Sequence, residues 1–268
     1  MTVLQVSAVP PMRSKSSRIP HYRKLSDRIH CGAEPVTREH FRRLQELGVR
    51  HIISVDGAPP NLKSAAHYGL QYTHIPFGYD GVPPQAYLAI TRAVRELKGP
   101  IFIHCHHGKH RGPAAAAIAC RVEGTADRAR AAAILRESGT SPDYAGLWAS
   151  VREFERPPAS QTLPALKPTR KVPPMAQAMA RIARQLDRFE KASAAERPQA
   201  AILIYEGLRE SHRLQTSLHT KEFQNWMAGS RDLARRLYDA SREDETTVPT
   251  ALAALRTSCT NCHAAYRN

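Results

Sequence analysis

The stretch His104-Cys105-His106-His107-Gly108-Lys109-His110-Arg111-Gly112-Pro113 lies between an apolar run, Ile101-Phe102-Ile103, and an alanine-rich run, Ala114 to Cys120. The first run reads as a buried strand and the second as a helix, so the residues between them form a tight strand-to-helix loop. Backbone N–H groups of such a loop, with a helix N-terminus behind them, converge on one point and favour negative charge there. A cysteine at that point has its thiolate stabilised and acts as a nucleophile. An arginine six positions later closes the loop and can hold two oxygens of a phosphate at once. Cys105 and Arg111 are therefore expected to hold a phosphate against a reactive sulfur. His106, His107, Gly108, Lys109, His110 and Gly112 would complete the cradle, and His104 would orient it.

Outward from this loop, strand and helix signals alternate. Strands are expected at His21 to Leu25, Arg28 to Cys31, His51 to Val55 and Tyr72 to Ile75. Helices are expected near Thr37 to Leu47 with Thr37 as cap, Leu62 to His67, Pro84 to Leu97, Ala126 to Glu137 and Asp143 to Glu155. Gly139 and Pro142 separate the last two. This order predicts a mostly parallel sheet flanked by helices, a small α/β unit.

The run His104-Cys105, five residues, then Arg111 resembles the His-Cys-x5-Arg signature of the cysteine-dependent protein tyrosine and dual-specificity phosphatases. The resemblance covers residues 21–156. It implies a cysteinyl-phosphate intermediate and a general acid that protonates the leaving oxygen. Asp80 is the candidate acid, because Phe77-Gly78-Tyr79-Asp80-Gly81-Val82-Pro83-Pro84 resembles the acid loop of several members. Asp56, ending the strand before, is the alternative, and either aspartate also reads as a turn residue. One departure stands out. The family usually carries Ser or Thr directly after the arginine, where its hydroxyl helps the thiolate leave, and here that position is Gly112. The histidines 104, 106, 107 and 110 could instead bind a metal, but all sit in one short segment with no distant ligand evident.

A second signal lies at the other end, in Cys259-Thr260-Asn261-Cys262-His263. Cys-x-x-Cys-His is a haem attachment sequence. On a helix the three residues lie at i, i+3 and i+4 and share one face, so both thiols can bond the haem vinyl groups while His263 ligates iron. The remaining cysteines, Cys31, Cys105 and Cys120, are isolated, which leaves a tetrahedral zinc site without its second pair. Ahead of it, Met175, Met179, Ile182, Leu186 and Phe189 recur at helical spacing. Further helices are expected at about Gln199 to Leu214, 220–241, and from Val248 into the cysteines. Four amphipathic helices predict an antiparallel bundle. Residues 174–268 are similar to the cytochrome c-prime family, whose haem hangs from the last helix. That resemblance implies covalent haem c, with the sixth iron position vacant or filled by Met175 or Met179.

Between the two units, Arg156 to Pro174 carries Pro157, Pro158, Pro164, Pro168, Pro173 and Pro174. That run forbids a continuous helix and predicts an extended spacer over 157–173. Residues 1–20 read as a disordered polar tail. The 268 residues thus divide into a phosphatase-like α/β domain and an all-α haem domain. The net charge of +15, most of it before residue 171, suits anionic substrates: phosphoproteins, phosphoinositides or nucleotides. No stacking aromatics interleave with the basic residues and no zinc module occurs, which argues against nucleic acid. A redox partner protein is expected for the haem unit. Haem c is attached outside the cytoplasm, so a periplasmic location is expected, although no signal-like apolar stretch occurs near Met1 and no transmembrane span is evident. The leading expectation is a phosphatase fused to a haem domain. The alternative is a phospho-binding module, without turnover, carried by an electron-transfer cytochrome.

Overall fold

A computed structural model describes residues 18–171, 175–215 and 220–266. The strands β1 (Arg23–Lys24), β2 (Ile29–Ala33), β3 (His51–Ser54), β4 (Gln71–His74) and β5 (Ile101–Cys105) form one sheet in the order β1-β2-β5-β3-β4. β1 runs antiparallel to β2, and every other pairing is parallel. The central strand β5 is buried throughout, as its unbroken apolar run requires of a strand covered on both faces. Side chains alternate between the faces. Ile101, Ile103 and Cys105 enter one core with Ile29 and Ile53, while Phe102 enters the other with Phe41, Leu44 and Ile52.

Helices α1 (Arg38–Glu46) and α2 (Leu62–His67) supply the second core. Helices α3 (Pro84–Glu96), α4 (Arg111–Glu123), α5 (Arg128–Glu137) and α6 (Ala145–Glu153) cover the first. Thr37 caps α1 as expected, accepting from the His40 N–H, and Asp127 caps α5 in the same way. Helix α4 starts at Arg111, three residues before the alanine run, because Gly112 and Pro113 fit a first turn. Since the crossovers are parallel, the loops after β2, β3, β4 and β5 meet at one edge of the sheet, where α/β folds place ligands.

The structure adds contacts at two places that the sequence leaves bare. Residues 1–17 of the expected disordered tail lie outside the described residues, but its end is packed: Ile19 is buried beside Phe41, and the Ala33 N–H donates to Pro20 O at 2.9 Å. The described part of the proline-rich spacer, residues 157–171, forms neither helix nor strand and is fastened to the α/β unit. The His74 N–H donates to Lys167 O at 2.8 Å, Arg170 N–H to His74 Nδ1 at 3.0 Å, and Arg95 to Pro157 O at 2.5 Å. Backbone with few internal bonds takes partners from the strand edge beside it.

Four further helices follow: α7 (Met175–Lys191), α8 (Arg197–Gln215), α9 (Lys221–Glu243) and α10 (Val248–Tyr266). Each packs along the next, and Gly207 lets α8 approach α7 so closely that a Cβ there would lie 2.7 Å from Ile182. Ser230 and Ser258 share a hydrogen bond of 2.8 Å between α9 and α10. Arg197 and Glu245 pair at 2.6 Å, tying the start of α8 to the turn before α10. The start of α7 and the Cys259–His263 segment therefore share the opposite end. Helices α7 and α10 lack the close backbone approach of the other neighbours and are bridged by the Arg256–Glu190 pair. Among the described residues no helix is long and apolar enough to cross a membrane.

Candidate active site

Cys105 ends β5 and is 2% exposed. The loop then turns over Gly108, whose φ of +72° lies in the left-handed region. A Cβ on Gly108 would fall 2.3 Å from the Gly32 carbonyl carbon, so only glycine lets the loop pass against the end of β2. The chain enters α4 at Arg111, and Gly112 comes back against the nucleophile. A Cβ at Gly112 would meet Cys105 N at 3.0 Å and Cys105 Sγ at 3.4 Å. The thiol is thus set beside the first turn of a helix, whose N–H groups favour an anion.

Arg111 is 1% exposed, although it carries a charge. Its guanidinium donates to Phe77 O at 3.0 Å, Glu210 Oε1 at 2.9 Å, Asp56 Oδ1 at 2.7 Å and Tyr79 Oη at 3.2 Å. The Tyr79 ring covers it at 4.2 Å. Its Nε is buried with no partner, a donor available to an anion. Asp56 also accepts from Arg213 at 2.9 Å. Burial works to raise the Asp56 carboxyl, but Arg111 and Arg213 outweigh it and hold the group below its usual range. An ionised, doubly paired Asp56 is a counter-ion for Arg111 and is poorly suited to donate a proton, so the alternative acid role for Asp56 loses its basis.

Asp80 is exposed on the loop after β4. That loop is held at both ends. Phe77 O and Tyr79 bind Arg111, and the Val82 N–H donates to Ser150 Oγ on α6 at 2.9 Å. The Asp80 carbonyl lies so close to Gly146 that no Cβ fits there. The loop walls a cavity of about 470 Å³, with Asp80 on one side and Glu206, Glu210 and Arg181 of the C-terminal helices on the other.

The histidines do not act as a group. His104 is buried between Tyr72 and Phe102, its Nδ1 3.3 Å from Cys105 O, and burial lowers its pKa. His106 pairs with Glu34 at 3.0 Å. His110 packs 4.5 Å from the Tyr144 ring, and burial, reinforced by Arg209 and Lys109, pushes its pKa down to about 3. Among the described residues the group close enough to share an ion is Glu34, Asp56 and His106, and Asp56 is already claimed by two arginines. Cys31 and Cys120 are buried core residues, and burial raises their thiols to about 12 and about 11.

The C-terminal helices supply residues that the sequence reading did not select. Glu210 and Arg213 of α8 reach Arg111 and Asp56, and they face each other at 3.5 Å. Glu206 is 3% exposed, accepts from Tyr144 Oη at 2.9 Å and has its carboxyl raised, chiefly by burial. Gly57 admits this packing, since a Cβ there would lie 2.8 Å from Glu210 Oε1.

On α10, Cys262 is buried, Cys259 is half-buried and His263 is exposed. Both thiols are free, and burial raises them. Met175 and Met179 are half-buried at the matching end of α7. Two thiols and an imidazole on one turn fit the donor set of a covalently held haem.

No family model matches the chain, and no curated protein matches it. Solved structures do. TpbA from P. aeruginosa is 22% identical with a TM-score of 0.44, over 55% of this chain and 89% of its own. The core catalytic domain of the PP-IP phosphatase SIW14 from S. cerevisiae is 17% identical with a TM-score of 0.46, over 52% and 88%. PTPMT1 in complex with PI(5)P is 20% identical with a TM-score of 0.40, over 49% and 92%.

Proposed function

We propose that this chain is a cysteine-dependent phosphatase of the tyrosine and dual-specificity type, joined to a four-helix bundle (174–268) that carries haem c. The observation that carries the first half is Cys105 set against Gly112 in the first turn of α4, beside a buried Arg111 whose Nε lacks a partner. In this mechanism the Cys105 sulfur attacks phosphorus and the bond to the leaving oxygen breaks. Arg111 and the loop N–H groups hold the remaining oxygens, and Asp80 protonates the leaving group. Asp80 then takes a proton from water, which attacks the cysteinyl-phosphate and frees the thiolate. Phosphotyrosine, phosphoserine and other anionic monoesters are the substrate class.

Cys259, Cys262 and His263 would hold the haem, and Met175 or Met179 would add a further ligand unless that position stays vacant. When bound, haem supplies a one-electron centre or a gas site, a redox protein would be its partner, and attachment would occur on the periplasmic side. Steady-state hydrolysis of an aryl phosphate tests the first half. Turnover lost in Cys105→Ser and reduced in Asp80→Asn supports it, and a freshly reduced wild type without turnover refutes it. The second reading, a phosphate-binding module without turnover, draws on Gly112, which offers the departing thiolate no hydroxyl. A cysteinyl-phosphate that accumulates and persists would favour it.

A further inference from the structure

The charges around Arg111 form a closed ring. Arg111 meets Asp56 at 2.7 Å, Asp56 meets Arg213 at 2.9 Å, Arg213 meets Glu210 at 3.5 Å, and Glu210 meets Arg111 at 2.9 Å. Two members belong to the α/β unit and two to α8. Glu210 brings a carboxylate, the closest side-chain analogue of a phosphate edge, onto the residue that must bind phosphate. Arg111 is 1% exposed and already holds Glu210 of α8 at 2.9 Å, so an incoming monoester must take the place of that carboxylate on the guanidinium. On its far side Glu210 lines the same cavity of about 470 Å³ that Asp80 lines, so space exists for its side chain to withdraw.

We propose that Glu210 is an internal competitor for phosphate: its carboxylate occupies Arg111, and α8 must yield before a phosphate binds at the Cys105 loop. The inference rests on the phosphatase reading for its biological sense, but the competition itself is a binding property. The sequence gives no hint of it, because Glu210 and Arg213 look like an ordinary i, i+3 pair on a solvated helix face.

The test uses the full chain and inorganic phosphate as probe, with affinity measured by titration calorimetry for wild type and Glu210→Gln. The substitution keeps the shape and removes the charge. Phosphate is expected to bind about tenfold tighter in the variant, about 1.4 kcal/mol. Equal or weaker binding overturns the proposal, and weaker binding would make Glu210 a group that positions Arg111. Hydrogen exchange on wild type gives a readout free of any folding defect. Amides of residues 206–213 should exchange faster at saturating phosphate, and unchanged exchange overturns the proposal. Aryl phosphate turnover in the same two proteins separates the two ideas. Tighter phosphate with no turnover in either protein sinks the phosphatase reading and leaves the competition standing.

Discussion

Replacing Asp56 by asparagine tests the assignment of that residue as the counter-ion of Arg111. The side chain is 1% exposed, and one of its oxygens accepts from both Arg111 and Arg213. Asparagine keeps the volume and an acceptor but leaves two arginines facing one carboxylate, Glu210. Removing one partner of a buried ion pair costs about 3–5 kcal/mol, and the surviving Glu210 contact puts this case near about 3 kcal/mol. For a chain of this size each kcal/mol moves the midpoint by about 2–4 °C, so Asp56→Asn should melt about 6–12 °C below wild type at pH 7. The acid dependence has a fixed sign. The folded-state pKa is depressed, so the carboxylate contributes stability above its usual 3.8, and that contribution is lost as pH falls through the folded-state value. The gap between the two proteins should therefore narrow on acidification. Thermal unfolding at pH 7 and pH 3 measures both effects. A variant melting within about 1 °C of wild type at pH 7, or a gap that widens at pH 3, would refute the ion-pair assignment.

Gly108→Ala should reduce kcat/KM on an aryl phosphate at least about a hundredfold, because a φ of +72° and a Cβ 2.3 Å from the Gly32 backbone force the loop away from Cys105. Unaltered kinetics would mean that the loop reaches its working shape by another path. Gly112→Ser should raise kcat and lower the trapped cysteinyl-phosphate seen by intact-protein mass spectrometry after acid quench, since its side chain arises 3.4 Å from Cys105 Sγ. A larger trapped fraction would show that the tight fit against Cys105 N outweighs the hydroxyl. Protein matured with a haem c attachment system should carry haem through denaturing electrophoresis, and Cys259→Ala with Cys262→Ala together should lose it. Non-covalent haem in both would remove the thioether assignment.

The α/β unit was legible because its signals are local. The apolar Ile101–Ile103 run, the Thr37 cap and the Pro84 helix start each depend on residues within a few positions. The order of alternating elements then constrains the sheet, since parallel crossovers leave few topologies. The Cys105 loop was legible for the same reason, as seven consecutive positions hold both nucleophile and arginine. What could not be read is the company Arg111 keeps. Asp56 is 55 residues away and Glu210 is 99, and only packing brings them to one guanidinium. Asp56 looked like a candidate acid until its two arginine partners were in view. The packing of Ile19 and the fastening of the spacer escape the sequence for a related reason. Polar or proline-rich composition shows that a segment lacks a core of its own, but not that it has no edge or cleft to lie against.

The ring of charges also bears on how α8 could leave. Each half of it is neutral. Withdrawal of α8 would leave Arg111 with Asp56 on the sheet side and Arg213 with Glu210 on the helix, so no buried charge loses its last partner. Opening then exchanges one paired arrangement for another, which is the property of a two-state element. Point substitutions behave differently, because each strands one charge. Glu210→Gln leaves the ring with an excess positive charge and Arg213→Gln with an excess negative charge, while the double variant is neutral again. Its loss of stability should therefore fall short of the sum of the two single losses by about 1 kcal/mol, measurable by denaturant unfolding in a double-mutant cycle. Strictly additive losses would mean that the four residues act as separate pairs, and that α8 leaves the sheet only by abandoning a buried arginine.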